Sequence, residues 1–174
     1  MKVLGLDPGG TTGWASVEAQ KKRLAVLRMG TSRDATLADL DELFKEADVI
    51  VVEDFKVRPK MAVQGKFNWN SMDTTRIIGA AQTLARIHKK KFVLQQPAVK
   101  PMGYGYAGLK YVPGKKGTHA QDAIAHACFF LVTKHYASPA GNDSRYNQSA
   151  HLPSNLPKSH NSQAFELRTQ DIEF

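Results

Sequence analysis

Two short apolar runs limit what this chain can fold into. Val3-Leu4-Gly5-Leu6 and Val49-Ile50-Val51-Val52 have the unbroken apolar character of buried strands, and each stops at a carboxylate, Asp7 in the first and Glu53 in the second. A strand that carries an acid out of an apolar core holds that acid in a fixed place. Asp7 leads straight into Pro8-Gly9-Gly10-Thr11-Thr12-Gly13, where the missing Cβ atoms let the backbone turn sharply and let a phosphate or a metal approach the carboxylate. Capping of a turn is the ordinary alternative for Asp7. In the second run Val49, Val51 and Glu53 fall on one face and Asp54 on the other, so only one of the two acids can meet Asp7. Glu53 is the expected one, because Asp54 begins the exit toward a basic loop.

A third acid-bearing element is Thr118-His119-Ala120-Gln121-Asp122-Ala123-Ile124-Ala125-His126-Ala127. It opens with a Thr-x-x-Gln capping signature and continues as an alanine-rich helix. His119, Asp122 and His126 are spaced i, i+3, i+7, which lines them along one face, and the small alanines allow close packing on a sheet. For both histidines the bland reading is a helix-terminal or satisfied surface residue, and it weighs more heavily on His126. Three carboxylates gathered without a cation would raise one another's pKa and resist joint ionisation. A divalent ion removes that difficulty. Carboxylate oxygens with an occasional imidazole suit Mg²⁺ or Mn²⁺, and the lack of a Cys/His cluster argues against zinc.

The order and setting of these acids resemble the RuvC-like Holliday junction resolvases of the RNase H-like superfamily. The resemblance runs from about Lys2 to Tyr136 and rests on Leu4-Gly5-Leu6-Asp7-Pro8-Gly9 with Gly13, on Val51-Val52-Glu53, and on His119-Ala-Gln-Asp122-Ala with Ala125 and Ala127. It implies Asp7, Glu53 and Asp122 as metal ligands, two Mg²⁺ ions per active site with Mn²⁺ able to substitute, hydrolysis leaving 5′ phosphate and 3′ hydroxyl ends, and a homodimer acting on branched DNA such as four-way junctions and forks. Many bacterial members carry an Asp where this chain has His119. The RuvC nuclease domains of CRISPR effectors look similar there, with His, so His119 is expected in the site as a ligand or as a general base. Viral relatives share the pattern, and a bacteriophage origin is one expectation that follows.

The coarse order of elements is strand (Lys2 to Leu6), an antiparallel pair (Thr12 to Glu18, Arg23 to Thr31), a helix from about Thr36 to Ala47, the Glu53 strand, a helix from about Ser71 to Lys89, a strand from Lys91 to Gln95, and the acidic helix. That order predicts an α/β fold with a mixed five-stranded sheet flanked by helices, the RNase H-like architecture. Pro97 to Gly117 reads as a substrate-contacting loop. Residues 1–136 form the expected nuclease domain. Residues 137–174, rich in Ser, Asn, Pro and Gln, read as a flexible polar tail whose end, Phe165 to Phe174, either docks or is inert. No apolar segment reaches membrane-spanning length and the start feeds a strand, so a cytoplasmic protein is expected, with Cys128 a buried packing residue.

Charge adds a partner. Residues 137–174 carry three basic and four acidic side chains, a net of −1, so the chain's +8 leaves +9 on the first 136 residues. Lys56, Arg58, Lys60 and Lys66 follow the second acid with no acidic residue among them, and Lys110, Lys115 and Lys116 stand just before the acidic helix. Phosphate backbone binding accounts for basic runs on both sides of the acids; a solvated basic face is the alternative. Phe67 and Trp69 lie in the first basic stretch and are candidates for stacking on unpaired bases, as is Phe55. Phe67 and Trp69 are equally candidates for a dimer contact or a staple on the next helix.

Four other functions share part of this pattern. The Asp7-Pro-Gly-Gly-Thr-Thr-Gly turn also resembles the phosphate loop of actin-like kinases, but those need a second domain and a second Asp-Gly loop that this chain lacks, so no nucleotide cofactor is expected. A YqgF-type RNA-processing nuclease shares the first motif. A broad debranching DNA nuclease would carry the same site. A non-catalytic nucleic-acid-binding module is disfavoured, because such a protein has no reason to gather acids under its DNA path.

Overall fold

The computed structural model describes residues 1–21, 23–55, 69–112 and 117–136. Five strands form one mixed sheet in the order β3-β2-β1-β4-β5. β1 (Lys2–Asp7), β2 (Thr12–Gln20) and β3 (Arg23–Ser32) are sequential antiparallel neighbours, and β4 (Val49–Glu53) and β5 (Lys91–Gln95) add parallel to β1. β3 is an edge strand. Its register shifts against Ser16 and Val17, which leaves Leu27 without a partner as a bulge that bends the exposed edge. In the centre, Leu6 pairs with Val52 and Asp7 with Gly13, while Glu53 pairs with Gln95. Asp7 and Glu53 therefore leave the sheet side by side at the carboxyl ends of parallel strands.

The strand alternation sorts the apolar side chains onto two faces. Leu4, Leu6, Ile50 and Val52 pack with Leu40, Leu43 and Phe44 of the first helical segment and with Ile77, Ala81 and Ala85 of α2 (Trp69–Ile87). Burying each such Leu, Ile or Phe side chain contributes about 1.5–3 kcal/mol. Val3, Ala15, Val17, Val49 and Val51 pack on the other face against Ala123, Ile124, Ala127 and Cys128 of α4 (His119–Phe130). Burial pushes the Cys128 thiol up to about 12, as expected of a packing residue. The capping signature read from Thr118 and Gln121 forms in full, each side chain accepting from the other's backbone N–H at 3.2 and 3.1 Å. Beyond Phe130 the helix widens into a π-helical stretch, Leu131–Tyr136.

Three expectations need correction. The single helix expected from Thr36 to Ala47 is broken into one 3₁₀ turn, Ala38–Leu40, and α1, Asp41–Glu46. The cause is local: the Asp34 carboxylate accepts from the backbone N–H of Thr36 and Ala38, and Leu37 is left in the left-handed region at φ 58°. The loop expected from Pro97 to Gly117 contains a 3₁₀ turn, Pro97–Val99, and a helix α3, Lys100–Tyr106, started by prolines in their favoured first-turn positions. Gly13, read as part of the sharp turn that opens Asp7 to a phosphate or metal, lies in β2 and makes room for α4: a Cβ there would lie 2.0 Å from the backbone carbonyl of His119. Among the described residues no helix is long and apolar enough to cross a membrane.

Candidate active site

Three elements deliver acids to one place. Asp7 ends β1, Glu53 ends β4, and Asp122 lies in the first turn of α4, which Gly13 allows to sit directly on β2. All three line a pocket of about 310 Å³ together with His119, Phe55 and Lys100. Asp54, on the opposite side of its strand, pairs instead with the side chain of Gln96, so the choice of Glu53 over Asp54 follows the alternation of the strand. His119 is half exposed and its Nδ1 bonds Asp7 Oδ2.

Lys100 is the residue that the sequence reading missed. Its Nζ lies 3.2 Å from Asp7 Oδ1, 2.6 Å from Glu53 Oε2 and 2.8 Å from Asp122 Oδ2, so one ammonium group joins all three acids. It reaches them from the start of α3, the helix concealed in the expected loop. Gly103 lets that helix close on α4, since a Cβ there would fall 2.1 Å from the carbonyl oxygen of Ala125. One turn on from Lys100, the buried Tyr104 donates its hydroxyl to Asp122 Oδ1 at 2.6 Å and packs edge-on against Tyr111, with ring centroids 5.4 Å apart. The i, i+4 spacing of Lys100 and Tyr104 was the available signal, hidden by the surrounding glycines.

His126 also departs from its surface reading. It is fully buried, with Nε2 2.9 Å from Glu53 Oε2 and Nδ1 2.9 Å from Gln95 Oε1. Gln95 pairs with Glu53 on adjacent parallel strands, both at their carboxyl ends, and the two side chains thereby reach the same ring.

The electrostatics reflect crowding. Burial, reinforced by the neighbouring Glu53, pushes the Asp7 carboxyl up to about 6 despite Lys100. Burial acts upward on Glu53 as well, but hydrogen bonds with His126, Asp7 and Lys100 outweigh it and hold that carboxyl below its ordinary range. Lys100 pays a desolvation cost yet is held firmly protonated by Asp7, Asp122 and Glu53. Burial and the Asp122 carboxylate together push the Tyr104 hydroxyl well above its ordinary value.

Among the described residues no three His, Cys, Asp or Glu side chains already stand as a ligand cage around one point; the acids close on the Lys100 ammonium instead. Their chemistry nevertheless fits a hard divalent cation, because three carboxylates and one imidazole converge on a place already held by positive charge. Of the expected DNA-contacting residues, Lys110 is exposed and adjoins Tyr111, and Trp69 is the first residue of α2. Lys56, Arg58, Lys60, Lys66, Phe67, Lys115 and Lys116 lie outside the described residues.

A mixed five-stranded sheet in this order, flanked by helices, defines an RNase H-like fold, the fold seen in RuvC. The particular structures it is similar to are two of Thermus thermophilus RuvC. One, in complex with a Holliday junction substrate, has 18% identity and a TM-score of 0.57 over 78% of this chain and 96% of that one. The other has 19% identity and a TM-score of 0.56 over 79% and 97%. No protein-family model matches the chain, and no curated protein matches it significantly.

Proposed function

We propose that the protein is a metal-dependent endonuclease that resolves four-way junctions and related branched DNA. The observation that carries this reading is the convergence of Asp7, Glu53 and Asp122, from three separate elements, on a single cation, the ammonium of Lys100. An architectural DNA-binding module has no use for that arrangement.

Asp7, Glu53 and Asp122 would hold two Mg²⁺ ions, with Mn²⁺ able to substitute, and such ions activate a water and stabilise the leaving oxygen of a phosphodiester. The oxygen of the water bonds to phosphorus, the bond from phosphorus to the 3′ oxygen breaks, and the products carry 5′ phosphate and 3′ hydroxyl ends. His119, bonded to Asp7 and open to solvent, serves as a further ligand or takes the proton of the attacking water. Lys100 neutralises the acids until ions enter. Residues 1–136 would form the nuclease body, residues 137–174 a polar tail, and two copies related by a two-fold axis would nick paired strands of a junction symmetrically. The net positive charge of residues 1–136, with Lys110 and the basic runs that flank the acids in sequence, supplies sequence-independent affinity for phosphates.

The test is cleavage of a labelled four-way DNA junction beside linear duplex, a fork and RNA of matching sequence, in Mg²⁺, with Asp7→Asn and Glu53→Gln as controls. Paired nicks in the junction are expected, lost by at least a thousandfold in both variants while junction binding persists. Cutting of forks and flaps as fast as junctions would indicate a debranching nuclease, and cutting of RNA alone would move the protein to RNA processing. Full activity in either variant would overturn the assignment of the acids.

A further inference from the structure

The three acids are not held alike. Lys100 touches all of them, so any ion that takes its place removes one restraint from each. Asp7 and Asp122 have short side chains and keep other partners, His119 for the first and Tyr104 for the second. Glu53 has a longer stem with one more rotatable bond, and the partners left to it are Asp7, itself an acid of the site, and His126, which lies outside the set of acids.

His126 is built to stay. Its side chain is fully buried on α4, one turn beyond Asp122, in a helix whose Ala123, Ala125 and Ala127 are buried as well. Packing alone does not ask for an imidazole there, and a buried polar ring is costly unless its nitrogens are bonded. Both are: Nδ1 meets Gln95 and Nε2 meets Glu53, each at 2.9 Å. Because both nitrogens are committed, His126 has no lone pair to offer an ion. Gln95 is itself buried, on the strand beside Glu53. Its amide can present either its oxygen or its NH₂ to Nδ1 by a half-turn of its plane, so Nε2–H remains available for Glu53 in either protonation form of the ring.

We propose that His126, braced by Gln95, is the positioning residue that fixes the Glu53 carboxylate for divalent ions. The proposal rests on the reading of Asp7, Glu53 and Asp122 as ion ligands and adds a buried outer support that none of those acids provides. Outer-shell partners of this kind typically govern ion affinity by 10–100-fold.

The experiment titrates Mn²⁺ into the full chain without DNA and follows free Mn²⁺ by electron paramagnetic resonance, with a thermal melt of each variant. His126→Leu should weaken Mn²⁺ binding by about 10–100-fold. Gln95→Met, which leaves the ring in place but unbraced, should weaken it in the same direction by less, and His126→Gln, whose amide can still donate to Glu53, should recover part of the loss. A purely structural role would lower the melting temperature and leave affinity unchanged, and affinity within twofold of the parent in folded His126→Leu would overturn the proposal. Should His126→Leu not fold, unchanged affinity in Gln95→Met overturns it equally. Absence of Mn²⁺ binding by the parent chain would instead overturn the nuclease reading along with it.

Discussion

The two faces of the sheet are packed by different means. On the face toward α1 and α2 the space is filled by bulk, with Leu4, Leu6, Leu37, Phe44, Ile50 and Ile77 interdigitating over a wide area. On the face toward α4 it is closed by approach: alanines and glycines bring backbone against backbone, and a Cβ on Gly13 or Gly103 would land about 2 Å from a main-chain atom of α4. Bulk packing tolerates small adjustments because side chains can shift. Backbone contact does not, and the site lies on that side. Both faces bury a hydrophobic cluster, and the α4 face adds the accuracy with which Asp7, Glu53 and Asp122 meet.

The contrast is broken most severely by a pair of substitutions. Phe44→Ala, in the fully buried aliphatic core, should lower stability by about 3–5 kcal/mol while the folded fraction cleaves normally. Gly13→Ala should cost less stability, about 1–3 kcal/mol, yet reduce cleavage by a hundredfold or more, because α4 must move His119 and Asp122 away from Asp7. Gly10→Ala is the control from the same glycine turn, with no atom within 4 Å of the added methyl, and should leave both properties unchanged. Urea denaturation and junction cleavage at a temperature where all variants are folded measure the two effects separately. If folded Phe44→Ala also loses activity, the division of labour between the faces fails.

The same division explains what could be read from the sequence. Strands and their acids were legible because a buried strand advertises itself by an unbroken apolar run, and because the alternation of Val49, Val51 and Glu53 selects one acid over its neighbour Asp54. The start of α4 was legible from Thr118 and Gln121, whose reciprocal bonds are local. What stayed hidden depends on tertiary approach. Gly103 and Gly105 look like loop residues, yet Gly103 is a packing position of α3, and without that helix nothing places Lys100 beside Asp7, 93 residues earlier. His126 looked like a surface histidine because nothing in the helix pattern reveals that Gln95 and Glu53, from two strands, will enclose it. Polar partners distant in sequence are the part of a site that periodicity does not encode.

A gentler change sharpens the comparison within the α4 face. Tyr104→Phe keeps the ring and its contact with Tyr111 but removes the hydroxyl bond to Asp122. Stability should fall by about 1 kcal/mol, and Mn²⁺ affinity by roughly tenfold, as expected for loss of an outer-shell partner. Isothermal titration of the full chain reads the second effect. A loss of stability with no loss of affinity would mean that Asp122 is held for ions by its place on α4 without the Tyr104 hydroxyl.

The smallest effect is a pH dependence that belongs to the site face alone. Asp7 is the acid among the buried polar residues described, and burial beside Glu53 raises its carboxyl from 3.8 to about 6. The folded state therefore holds the proton more tightly than the unfolded chain. The stability this contributes is complete below the ordinary carboxylate pKa and is lost as pH rises through about 6. Glu53 works in the opposite sense: its carboxyl is held low by His126, Asp7 and Lys100 against the pull of burial, so its contribution is present above its ordinary value of 4.5 and lost only in stronger acid. Lys100, raised above its ordinary value, stays protonated across the whole window and adds no slope. Between about pH 4.5 and 6.5 the ion-free protein should accordingly lose stability on the order of 1 kcal/mol as pH rises, roughly 3 °C in melting temperature. Melts in EDTA across this range should show the fall in the parent chain and a flat profile in Asp7→Asn. Saturating Mn²⁺ should remove the slope from the parent by favouring the ionised acid. A flat parent profile in EDTA would mean that the Lys100 ammonium already cancels the crowding of the three acids.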